Sequence, residues 1–208
     1  MGKFSALAAD GRQGYNRAQS KGVKTVTVIY GVKGKDGRVL DWPLLELVVR
    51  EQWGWAALPP VKRSPRGKPF FPDWPDRWFS LSHSGGIALC ALSSAPVGVD
   101  VELVRPRRAG LPAYVLSESE RTGFDGTWED FCRLWTLKES WCKREDSPLF
   151  PPREVTAPPP CPHKSYAGEG WRAAVCCEDE PPREILWRSV DELLLRPGRN
   201  YDTISCDG

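Results

Sequence analysis

The chain has 208 residues, 40% hydrophobic and 27% charged, with 29 Lys and Arg against 27 Asp and Glu for a formal net charge of +2. That is an ordinary globular composition, long enough for one full core or two small, closely associated halves. A charge this balanced gives no argument for nucleic acid as a partner, and no apolar run approaches the roughly 20 residues a membrane span needs.

The opening MGKFSALAAD has no apolar stretch of the kind a secretory signal carries, and Ala6 stands where a myristoylation pattern requires Ser or Thr. A soluble, cytoplasmic protein is expected. Seven cysteines, at 90, 132, 142, 161, 176, 177 and 206, contain no CxxC pair and read as reduced thiols. Cys161-Pro-His163 hints at zinc, but it sits in a proline-rich loop without a second ligand pair.

Residues 1–22 are polar and read as a loose N-terminal arm. KTVTVIYGV, 24–32, is β-branched and strand-like, with a turn expected at Asp36-Gly37. In 43–55 Leu44, Leu45, Leu47, Val48 and Trp55 recur at helical spacings behind Pro43, which suits a helix start. Residues 58–79 are basic and punctuated by proline and glycine, so a long ordered loop is predicted there. Two short strands joined at Ser84-Gly85-Gly86 fill 79–94, and a third strand, 97–104, follows at once.

Thr127, with Asp130 three residues on, resembles a capping box and opens the strongest helix of the chain, 128–145. The proline-dense stretch 147–162 excludes regular structure. Residues 170–178 and 184–190 read as strands, and 190–198 as a terminal helix or turn. Strands and helices mix throughout, which predicts an α/β or α+β fold.

Within the strand 97–104, Asp100 and Glu102 are two residues apart and share one face. Two readings stand: an edge strand with both acids in water and Val99, Val101 and Leu103 buried, or a pair of oxygen ligands for a hard divalent cation such as Mg2+. Glu139 lies on a helical stripe with Trp135 and Lys143. It is either half of a surface ion pair or a third acid toward the same cation. His83, between serines and just before two glycines, is a hydrogen-bonded structural residue or part of an anion site. Lys62, Arg63, Arg66 and Lys68 form a solvated patch or one wall of a phosphate site.

Three segments, GKPFFPDWPDRWFSLSHSGG at 67–86, PVGVDVELVRP at 96–106 and RLWTLKESWCK at 133–143, resemble in order and spacing the 4′-phosphopantetheinyl transferases of the surfactin-synthetase-activating type. The likeness extends to RAAVCCEDEPPREILWRSVDELL at 172–194. It implies two α/β halves related by a pseudo-twofold, here 23–97 and 98–208, with coenzyme A in the cleft between them. The implied reaction moves the phosphopantetheine arm of coenzyme A to a serine of an apo carrier protein (acyl, peptidyl or polyketide) and releases adenosine 3′,5′-bisphosphate.

By that resemblance Asp100, Glu102 and Glu139 hold Mg2+ on the pyrophosphate, and Glu120 (with Glu118 as its neighbour) is the base on the serine. Lys143 neutralises the leaving phosphate, while Lys68, Ser82 and His83 contact the coenzyme's phosphates. A monomer without nucleic-acid or membrane partners is implied. The alternatives are a relative that binds coenzyme A or a carrier without turnover, and a different Mg2+-dependent phosphate enzyme. The sequence departs from the pattern in a short basic segment, Lys33 to Arg38, in REDSPLFPP after the main helix, and in residues 1–22.

Overall fold

The structure, a computed structural model, describes residues 26–34, 38–148 and 151–194. The expected arm at 1–22, the turn at Asp36-Gly37, Cys206 and residues beyond 194 lie outside them. In chain order the elements are β1 (Val28–Lys33), α1 (Asp41–Trp53), β2 (Lys62–Arg63), β3 (Pro69–Phe70), β4 (Trp78–Ser84), β5 (Ile87–Ser93), β6 (Gly98–Leu103), α2 (Leu111–Val115), α3 (Glu118–Gly123), α4 (Trp128–Glu145), β7 (His163–Gly168), β8 (Trp171–Cys176), β9 (Leu186–Arg188) and α5 (Val190–Leu194).

The mixed α/β class is as expected. A four-stranded sheet has the order β4-β5-β1-β9, with β9 joining β1 in parallel, and a three-stranded antiparallel sheet has the order β6-β8-β7. The basic loop 58–79 contains a small hairpin, β2 with β3, that its proline content had hidden. The stretch 147–162 holds one turn of 3-10 helix, Pro152–Glu154. β9 and α5 return the end of the described chain to the first sheet, so the segment 98–208 contributes a strand and a helix to the other half's layer.

Three apolar clusters hold these layers together. One face of the first sheet packs on α1 through Tyr30, Val32, Leu44, Leu45, Val48 and Phe79. Its other face packs on the second sheet through Ile29, Leu89, Ala91, Val99, Val101 and Val175. β5, covered on both sides, is buried at all seven positions, which is why IALCALS reads as a continuous apolar run. A third cluster, Val115, Leu116, Phe131, Cys132 and Leu134, packs α2 under α4.

The alternation in β6 has a different meaning from the half-solvated one. Val99 and Val101 enter the cluster between the sheets, and the opposite face of the strand is covered by α4. Gly98 makes that approach possible: a Cβ there would collide with the carbonyl oxygen of Ser140 and the amide nitrogen of Arg144. Asp100 is thereby sealed beneath a helix, 4% exposed.

Candidate active site

Serines on β4 build the site's floor. Ser80, Ser82 and Ser84 share one face by the two-residue period of a strand, and their hydroxyls accept hydrogen bonds from the amides of Val99 (3.1 Å), Val101 (3.2 Å) and Leu103 (3.0 Å). This polar seam joins the two sheets and satisfies the edge of β6 that, among the described residues, no strand pairs with. Two of the serines also aim the acids: Ser82 donates to Asp100 Oδ1 at 2.8 Å and Ser84 to Glu102 Oε2 at 3.2 Å. Three serines at alternate positions facing two alternate acids is a legible signal that the sequence reading missed; Ser82 entered it only through the family resemblance.

α4 supplies the opposite wall. Thr127 caps it by accepting from the Asp130 amide at 3.1 Å; the reciprocal half of the expected box is absent, because the Thr127 amide donates to Asp125 instead. In the last turn of the helix, Lys143 donates to Asp100 Oδ1 at 2.7 Å. Burial raises Asp100 above the usual carboxylate range, opposed by the charge and hydrogen bond of Lys143. Its second oxygen, Oδ2, is buried with no hydrogen-bond partner among the described residues. Burial pushes Glu139 up to about 7, with Asp100 adding to the rise and Lys143 opposing it.

A cavity of about 310 Å³ is lined by Ser82, His83, Asp100, Glu139 and Lys143, together with Arg63 and Trp42. A neighbouring one, about 260 Å³, shares Glu139, Lys143, Pro69 and Leu81 with it and adds Arg66 and Lys68. Of the eight residues expected at the site, the structure therefore brings six together around these two cavities. Glu102 and Glu120 line neither. Glu102 Oε2 accepts from Arg107 at 2.6 Å, a contact the sequence reading missed.

Glu120 is held apart by a structural task. It is the third residue of α3, in a true capping box with Ser117: Glu120 Oε2 accepts from the Ser117 amide at 2.8 Å and the Ser117 hydroxyl accepts from the Glu120 amide at 3.3 Å. Its Oε1 accepts from the Ala157 amide at 2.8 Å, and Lys138 Nζ lies 2.6 Å from Oε2. Lys138 is itself wholly buried and donates to the carbonyls of Val115 and Pro152. Both carboxylate oxygens of Glu120 are thus occupied where the fold is tied together. Glu118 is exposed in the first turn of the same helix.

The basic loop is also committed. Lys68 donates to the carbonyls of Arg144 (3.0 Å) and Val97 (3.4 Å), Arg66 to that of Asp146 (2.7 Å), and Ser64 to the Asp146 side chain (3.0 Å). Cations at the last carbonyls of a helix oppose its dipole, so this loop is clamped to the end of α4. Burial lowers the Lys68 ammonium to about 8. Among the described residues no group of three or more His, Cys, Asp or Glu is gathered closely enough to hold a metal ion as the side chains stand.

A sequence profile of the 4′-phosphopantetheinyl transferase superfamily matches residues 96–176, which run from β6 through α4 to the end of β8. The 4′-phosphopantetheinyl transferase Sfp of Bacillus subtilis (strain 168) is 32% identical over 151 residues, covering 62% of this chain and 67% of that protein. The ffp transferase of Bacillus subtilis matches to the same extent. The AcpT transferase of Escherichia coli (strain K12) is 38% identical over 95 residues, 42% of this chain and 49% of its own length. The chain belongs to the 4′-phosphopantetheinyl transferase superfamily.

Proposed function

We propose that the protein transfers the 4′-phosphopantetheine arm of coenzyme A to a serine hydroxyl of an apo carrier protein, releasing adenosine 3′,5′-bisphosphate. The observation that carries this reading is the junction of the two cavities, where Glu139 and Lys143 line both walls and Asp100 presents a buried oxygen with no partner among the described residues. Displacement at a pyrophosphate phosphorus needs positioning and neutralisation of growing negative charge more than covalent help. Lys143 carries a cation to the cavity for that purpose, and His83 lines the same wall.

The donor chemistry fits Mg2+. Asp100, Glu102 and Glu139 are hard oxygen donors, and the unsatisfied Asp100 Oδ2 is what a bound cation would relieve. When bound, the ion supplies charge neutralisation on the pyrophosphate. Glu120 stands outside this chemistry as the side chains lie, since both of its oxygens are taken up by Lys138 and backbone amides. Lys68 secures the end of α4 against the loop that faces the coenzyme.

Incubating the protein with an apo carrier, coenzyme A and Mg2+ and weighing the carrier tests the reading. The expected result is a carrier heavier by one phosphopantetheine group. Several apo carriers left unchanged would refute it.

A further inference from the structure

The cysteines on the far side of α4 have no part in that chemistry, yet three of them gather at the end of β8. The antiparallel register sets His163 opposite Cys176, and the Cys177 amide donates to the Pro162 carbonyl at 3.0 Å, which lays the proline-rich loop over the strand's end. Cys161, two residues ahead of His163, is thereby carried to the end of the strand that holds Cys176. Cys161 is partly exposed, whereas Cys176 is completely buried.

We propose that Cys161 and Cys176 are a modification site, forming a reversible disulfide by exchange with a small-molecule disulfide. Access orders the steps. The Cys161 thiolate attacks one sulfur of the small disulfide, making a mixed disulfide and releasing one small thiol. The Cys176 sulfur, giving up its proton, then attacks the Cys161 sulfur and expels the second small thiol. Two protein thiols become one disulfide, and the small disulfide, the oxidant, is reduced to two thiols. The Cys176 thiol holds the Cys161 thiol below its ordinary range, with Arg144 nearby adding to the effect, so the partly exposed partner is the better nucleophile.

The pairing is specific because side chains alternate along β8. Cys176 points toward α4, its sulfur 3.2 Å from the Ser140 hydroxyl. Cys177 points the other way, into the apolar cluster between the sheets, with its thiol toward the Asp179 carbonyl at 3.2 Å. The resulting bond would fasten the loop before β7 to the strand beneath α4, next to the residue that follows Glu139.

The test uses the full chain, reduced and then exposed to oxidised glutathione, quenched with an alkylating agent and digested without reduction. The expected product is a Cys161–Cys176 linked peptide that dithiothreitol reverses. A Cys176→Ser chain should stop at a glutathione adduct on Cys161. Cys161 alkylated to the same extent as in a reduced control, or linked to any cysteine other than Cys176, would overturn the proposal, and the unmutated chain alone decides this.

Discussion

Two carboxylates are buried against lysines of the same helix, and they do opposite things. Glu120 meets Lys138, 0% exposed, and every oxygen of the acid has a donor. Asp100 meets Lys143, whose side chain is 31% exposed at a cavity, and one oxygen has none among the described residues. The first pair is closed and ties α2, α3 and the proline-rich loop to α4. The second is left incomplete beside open space. Unsatisfied buried polarity is costly, and a fold retains it where something else is to bind.

The comparison breaks first if the closed pair proves dispensable. Lys138→Met leaves Glu120 as an uncompensated buried acid and should cost roughly 3–5 kcal/mol of unfolding free energy in denaturant titration. Lys143→Met at the open pair should cost only about 1–2 kcal/mol, because solvent reaches that ammonium, while carrier loading falls about 100-fold. Equal stability losses in the two variants would erase the distinction.

Smaller effects sharpen it. Trp135 stacks on Phe131 with ring centroids 6.1 Å apart but is only half-buried, so Trp135→Ala should destabilise by about 2 kcal/mol, less than a fully enclosed ring would. The pH dependence at Lys68 is smaller again. Its folded pKa lies near 8, below its ordinary 10.5, so between those values the unfolded chain holds more protons at this group. Relative to Lys68→Met, the unmutated protein should therefore gain stability as pH rises from 8 toward 10.5. A melting-temperature difference that is flat or falls over that window would contradict the burial of this ammonium.

Much of the site's frame was readable because it obeys simple periods. The two strands around Gly85-Gly86, the strand of Asp100 and Glu102, and α4 with its Thr127 cap all follow local patterns. β7, HKSYAG, has no apolar alternation and is a strand only through its pairing with β8. The short α2 and α3 lie among prolines and serines whose local preferences favour turns. Tertiary placement was harder still. Lysine is almost never fully buried, so nothing in LWTLKES marked Lys138 as an interior residue, and the spacing of LSESER could not show that Glu120 spends its oxygens on the fold.

The most direct measurement is the carrier-loading rate of Asp100→Asn at saturating coenzyme A and Mg2+, taken with its melting temperature. Removing one charge while keeping the side chain's shape should lower the rate at least about 100-fold and leave the melting temperature unchanged or higher. Loading at the unmutated rate would show that this buried carboxylate is no part of the transfer chemistry.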